Sequence, residues 1–191
     1  MHFLRRPNDL ASKFAALDKS QAIIEFDPEG TILGANANFL GVIGYGLDEI
    51  QAKHHSMFVD PAERDSGGYR EFWAALKRGE FQSREFKRIA KGGREVWIQA
   101  SYNPLLDRKG RTFKVVKFAT DITASKLRNV EYEEQIKAIE KSQAVIRFTP
   151  DGTILDANEN FLKALGYGLA EIQGKHHGMF VEPAERDQPA Y

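Results

Sequence analysis

Residues Lys19 to Asp65 return as Lys141 to Asp187, displaced by 122 positions, with 34 of 47 aligned positions identical. That period is far longer than the roughly 20 to 50 residues of solenoid and propeller units, and it matches the size of a compact domain. The chain therefore reads as a tandem array of domains. Tyr191 aligns with Tyr69, so the second copy stops where the first continues. The expectation is a piece of a longer protein: residues 1–18 an N-terminal amphipathic helix, 19–122 a complete domain, 123–140 a helical linker, and 141–191 the first half of a second, truncated domain.

Charge narrows the partners. The 27 basic and 27 acidic residues cancel, so the chain lacks the basic excess that marks nucleic-acid or anionic-membrane binding, and no nucleic-acid or membrane partner is expected. No apolar run approaches the roughly 18 residues of a transmembrane helix, and the N-terminus lacks the apolar core of a secretory signal. The expected location is cytoplasmic. Without cysteine there are no disulfides, thiolate metal sites or cysteinyl-flavin photochemistry.

Apolar residues Leu10, Phe14 and Leu17 recur at helical spacing, and Tyr132, Ile136 and Ile139 repeat the stripe in the linker. These stripes need a partner, either the domain's own sheet or the same helix of a second subunit, and self-association through both helices is expected. Gln21 to Phe26 and Thr31 to Leu33 flank an Asp-Pro-Glu-Gly turn and read as a hairpin. Short helices follow around Gly44-Tyr45-Gly46. Tyr69, Phe72, Trp73 and Leu76 mark a longer helix ended near Gly79. Phe81 to Ala90, Glu95 to Leu105 and Thr112 to Thr120 then read as three consecutive antiparallel strands. The fold class is α+β, with short helices on one face of a five-stranded antiparallel sheet. In the second copy, the two leading strands are expected to present unpaired edges.

That order resembles the PAS domain, a sensory module, through Gly30-Thr31-Ile32, Asn36, Phe39, Leu40, Gly44-Tyr45, Glu49-Ile50 and the closing Asp121-Ile122-Thr123. The resemblance covers residues 19–123 and again 141–191. A finer resemblance is to the N-terminal PAS pairs of soluble methyl-accepting chemotaxis receptors, carried by KSQA, KHH-x-MFV, VWIQASYNP and FKVVKFATDIT. It implies a sensory input module detecting redox state or oxygen through a bound cofactor. It also implies a downstream signalling domain outside this chain.

The candidate pocket residues come from the short helices and the central strand. Alternation puts Val96, Ile98, Ala100 and Tyr102 on one face and Trp97, Gln99, Ser101 and Asn103 on the other. The second set, one aromatic with three hydrogen-bonding groups, suits a planar heterocycle such as FAD. In the alternative, Trp97 packs under the N-terminal helix on the outer face of the sheet. Flavin-binding aerotaxis PAS domains are similar in their strand tryptophan, although Phe58-Val59-Asp60 replaces the Arg-His pair of the membrane-bound type.

Phe39, Tyr45, Met57, Phe72 and Trp73 complete the candidate cofactor set. His54 and His55 follow the short helices and recur as His176 and His177. Haem-binding chemoreceptor PAS domains are similar in drawing an axial histidine from this region, which makes haem b the alternative cofactor, with His54 or His55 as ligand. Otherwise both histidines cap a helix or lie at the surface. No other metal site is expected, nor is any catalytic residue or enzymatic activity, since no catalytic motif is present. Asp121 and Thr123 are assigned to signal coupling, joining the last strand to the linker helix. The rival reading is a ligand-free assembly module whose interior is filled by Phe39, Phe58, Phe72, Trp73 and Phe86.

Overall fold

The structure, a computed structural model, describes residues 9–182. The chain divides into two compact units, Met1–Lys126 and Leu127–Tyr191.

In the first unit, α1 (Asp9–Ser20) leads into the hairpin of β1 (Ala22–Phe26) and β2 (Ile32–Ala35). Four short helical segments follow: α2 (Ala37–Ile43), α3 (Leu47–Ile50), a 3₁₀ turn (His55–Phe58) and α4 (Pro61–Arg64). The longer α5 (Gly67–Lys77) precedes β3 (Gln82–Ile89), β4 (Glu95–Leu106) and β5 (Thr112–Asp121). All neighbours are antiparallel in the order β2-β1-β5-β4-β3. The first and last strands in sequence thus pair at the centre of the sheet. The expected five-stranded α+β architecture is the observed one.

The core forms where the helices meet one face of the sheet. Tyr69, Phe72, Trp73 and Leu76 bury the inner stripe of α5, as their spacing requires. They meet Phe26, Phe86, Val96, Ile98, Ala100, Tyr102 and Val115 from the strands, and Phe39, Ile43 and Phe58 from the short helices. Ser66 accepts the Tyr69 N–H at 3.1 Å and starts α5. Gly79, at φ +90°, ends it, a conformation that costs glycine little.

Asn36 ties the entry of α2 to β1. Its Oδ1 accepts from Phe39 N at 3.0 Å and Ile23 N at 2.9 Å, and its Nδ2 donates to Gln21 O at 2.8 Å. A helix N-cap of this kind contributes about 1 kcal/mol, and the cross-strand bonds add to it.

The helix α6 (Thr123–Ser142) leads into β6 (Ile146–Phe148), β7 (Ile154–Ala157), α7 (Glu159–Leu165), α8 (Leu169–Ile172) and a 3₁₀ turn (His177–Phe180). The local devices of the first copy recur. Asn158 caps α7 through Phe161 N at 3.0 Å and reaches Val145 N, Glu140 O and Gln143 O. The core does not recur. Among the described residues β6 pairs with β7 alone, and the buried apolar residues here are Ile154, Ala157 and Ile172. β6 is correspondingly half-exposed where β1 is buried.

One backbone position separates the copies. Ala52 stands at φ +61°, whereas its counterpart Gly174 takes φ +77°. An L-residue in the left-handed region costs roughly 1–2 kcal/mol, partly offset by the extra chain entropy of glycine when unfolded. Ala52→Gly is therefore expected to stabilise the protein by about 0.5–1 kcal/mol, read as a raised urea midpoint. A lowered midpoint would contradict the strain at this turn.

Candidate functional site

Which face of β4 looks inward decides the site. Val96, Ile98, Ala100 and Tyr102 are buried against the helices. Trp97, Gln99, Ser101 and Asn103, read from the sequence as the pocket face, lie on the opposite, outer face. This placement corrects that assignment, and its physical cause is the company each face keeps. Tyr102 stacks edge-on with Phe72 at 4.9 Å and Phe86 at 5.3 Å between ring centroids. Asn103 instead bonds back to the Ser101 side chain and Val116 O.

Trp97 meets the start of α6. The Lys126 ammonium lies 5.1 Å over its indole. Trp97 N donates to Thr123 Oγ1 at 3.0 Å, Ile122 N donates to Trp97 O at 2.9 Å, and Asp121 Oδ1 accepts from Thr123 N at 2.8 Å. Asp121 and Thr123 therefore fasten α6 near the start of β4.

The two adjacent histidines part company. His54 is exposed and caps the 3₁₀ turn, its Nδ1 accepting from Ser56 N at 3.1 Å and its Nε2 lying 2.9 Å from Glu29 O. Gly30, at φ +92°, makes room for it, since a Cβ there would stand 2.7 Å from His54 Nε2 and 2.9 Å from the Trp73 ring.

His55 is fully buried, with Nδ1 2.8 Å from the Tyr69 hydroxyl and Nε2 2.9 Å from the Tyr102 hydroxyl. One tyrosine donates and the other accepts, so the neutral imidazole satisfies both. Burial, then the charges of Arg88 and Lys117, hold the His55 pKa well below its usual value. Burial pushes the Tyr69 phenol up to about 12.

Two cationic side chains share this interior, and residue-by-residue reading passed over both. Lys117 is 1% exposed, with Nζ 4.7 Å over the Tyr102 ring and 5.5 Å over Phe39. Burial first, and Arg88 second, hold its pKa well below the usual lysine value. Arg88 is 2% exposed, its guanidinium 4.6 Å over Phe86. Its Nη1 donates to Lys87 O at 2.6 Å and, more loosely, to Glu63 at 3.4 Å. No carboxylate pairs with Lys117 among the described residues. The signal was in the strand alternation: Lys117 falls in step with Val115 and Ala119, and Arg88 with Phe86.

Two donors in this interior have no acceptor, Trp73 Nε1 and Arg88 Nε. The Tyr69 hydroxyl lies close to the indole, and the Tyr102 hydroxyl close to Arg88, each outside hydrogen-bond geometry. Of the remaining candidates, Phe39, Phe72 and Trp73 are core residues, while Tyr45 and Met57 are half-buried against it. In the second unit His176 and His177 line an open groove with Phe148 and Gly152.

The residues test the two candidate cofactors differently. Haem does not fit as the side chains stand, because both nitrogens of His55 and both of His54 are engaged. The donors Trp73 Nε1, Arg88 and Lys117 fit the acceptor-rich edge of a flavin. A tricyclic ring system enters only if the packed Phe72, Trp73 and Tyr102 rings open.

Residues 32–119 match the family model described as PAS fold, and residues 142–191 the model described as PAS domain. The chain is 48% identical over 93% of its length to the biofilm dispersion protein BdlA of Pseudomonas aeruginosa, spanning 42% of that protein. It is 30% identical over 55% of its length to the aerotaxis receptor of Escherichia coli, spanning 20% of that protein. The chain thus spans less than half the length of these relatives. Among solved structures it resembles a PAS domain from Colwellia psychrerythraea (TM-score 0.54, 21% identity, 60% of this chain and 98% of that one). It also resembles a light-oxygen-voltage domain studied with a flavin analogue (TM-score 0.51, 23% identity, 67% and 99%). At these identities the two structures speak to the fold.

The buried groups predict a pH dependence. His55 stays neutral in the folded protein where the unfolded histidine, near 6.5, binds a proton. The unfolded state then holds more protons, so stability falls as pH drops below about 6.5, by up to ~1.4 kcal/mol per unit from this group. Lys117 acts in the same direction up to the ordinary lysine range near 10.5. Urea midpoints between pH 7.5 and 5 should fall accordingly, and the His55 component should vanish in His55→Gln. A flat wild-type profile would contradict a buried neutral imidazole.

Proposed function

Because this chain belongs to the PAS family, in a line of signalling sensors that includes BdlA and the aerotaxis receptor, we propose that it is the sensory input region of a chemoreceptor. In this reading the first unit senses redox state or oxygen through a cofactor held between helices and sheet, and works in the cytoplasm. No helix of the described residues is long and apolar enough to cross a membrane. We assign the chain no reaction of its own.

The observation that carries this reading is the incomplete interior. A ligand-free assembly module has no use for unpaired buried donors beside two buried cations, each costly to desolvate. The aromatic filling expected of that rival is present, yet Trp73 Nε1 and Arg88 Nε remain without acceptors. Flavin is favoured over haem, because the unpaired groups are donors and neither neighbouring histidine is free. When bound, a flavin supplies a change of charge on reduction. The residues that would hold it are Arg88, Lys117 and Trp73.

The output route follows from connectivity. Tyr102 sits on β4 with its hydroxyl on His55, and the same strand holds Thr123 through Trp97 N. A changed contact at Tyr102 shifts β4, and the Asp121-Thr123 clasp passes the shift to α6. The exposed stripes of α1 (Phe14, Leu17) and α6 (Tyr132, Ile136, Ile139) then serve self-association in this proposal, with a downstream signalling domain as recipient.

A visible spectrum of the purified chain before and after dithionite tests the cofactor. A double band in the blue that bleaches is expected; a featureless spectrum after incubation with FAD and with haem would overturn it. Amide hydrogen exchange along residues 123–142 should differ between the two redox states. Thr123→Val or Asp121→Ala should erase that difference at unchanged cofactor content, whereas loss of the cofactor in these variants would sink the division of roles.

A further inference from the structure

The first unit's interior buries two basic side chains, Arg88 and Lys117, against one distant and half-exposed carboxylate. His55, Arg88 and Lys117 are the polar or charged residues buried there, and all three are donors or cations at neutral pH. Among the described residues the carboxylate that pairs with Arg88 is Glu63, whose side chain is 38% exposed and meets it at only 3.4 Å. A desolvated cation without a partner costs several kcal/mol. The ring faces of Tyr102, Phe39 and Phe86 offset part of that cost.

We propose that this interior binds an anionic group, a carboxylate or phosphate, held by Arg88, Lys117 and the indole N–H of Trp73. The proposal rests on the sensory reading above and names the ligand chemistry of that site. Each element supplies one part. Arg88 on β3 offers the unpaired Nε, a planar fork suited to oxyanions. Lys117 on β5 offers a point charge beside Tyr102, and Trp73 on α5 a neutral donor. An open groove of about 390 Å³ between α4–α5 and β3, lined by Glu63, Ser66, Tyr69, Arg84, Phe86 and Arg88, reaches the Arg88 member of this set. Glu63 at its rim occupies Arg88 until the anion replaces it. Lys117, held toward the neutral amine when the interior lacks a counter-charge, regains its proton beside the anion. The acidic group belongs either to a free small anion or to a nucleotide cofactor such as FAD.

The whole purified chain is titrated with sodium phosphate and with sodium acetate against sodium chloride at constant ionic strength, following the melting midpoint. A saturable rise with phosphate or acetate is expected. In Lys117→Met and in Arg88→Gln the apparent affinity should drop by about tenfold or more. Lys117→Met should also melt above the wild type without anion, since an apolar side chain of similar length replaces a buried amine that pairs with no carboxylate among the described residues. Should one variant fail to fold, the other carries the test, and Trp73→Phe removes only the indole donor.

A flavin that co-purifies identifies the second source, and its content should then fall in the same variants. Unchanged flavin content would overturn the anion site while leaving the cofactor reading intact. A colourless protein with a saturable anion response would do the reverse. A colourless wild type that responds to neither anion overturns the proposal, as does a response unaltered in all three variants.

Discussion

The contact between Tyr102 and His55 organises the first unit. A hydroxyl on β4 and an imidazole on a 3₁₀ turn meet 47 positions apart in sequence, at 2.9 Å and out of reach of water. Such a bond is expensive to leave unmade, so it fixes the parity of β4. With Tyr102 inward, Trp97 must face outward, Lys117 opposite Tyr102 must face inward, and the turn carrying His55 must close over the sheet. The ring cluster around Phe72 follows from these choices.

The same parity divides labour across the sheet. The inner face carries buried donors and cations, a place where a ligand's charge has large leverage because the local dielectric is low. The outer face carries the attachment of α6 through Trp97, Thr123 and Asp121. One strand, β4, presents residues to both. A displacement of a fraction of an ångström at Tyr102 needs no long chain of contacts to reach the helix.

Much of this was legible in the sequence, and the exceptions are instructive. The repeat, the hairpins, the α5 stripe and the caps are local properties, and among the described residues the first hairpin and the asparagine cap recur in the second unit without the core. The inward face of β4 was not legible, because both of its faces mix large and polar residues and alternation alone is symmetric. Lys117 and Arg88 ran against the expectation that charge lies outside, although each keeps step with its apolar neighbours. His55 is the sharpest case. Its counterpart His177 has nearly the same local sequence yet is only half-buried, because burial comes from Tyr69 and Tyr102, whose counterparts are not among the described residues.

The chain has two tryptophans, and the fold has put them on opposite sides of the sheet. Trp73 stands among the rings of the interior, edge-on to Phe26 and His55. Trp97 lies at the root of α6, beneath an ammonium group. The intrinsic fluorescence of the unlabelled protein is therefore a sum of two reporters, one buried in the interior between helices and sheet and one at the start of α6. Replacing either by phenylalanine leaves a spectroscopic channel that watches a single face of the sheet.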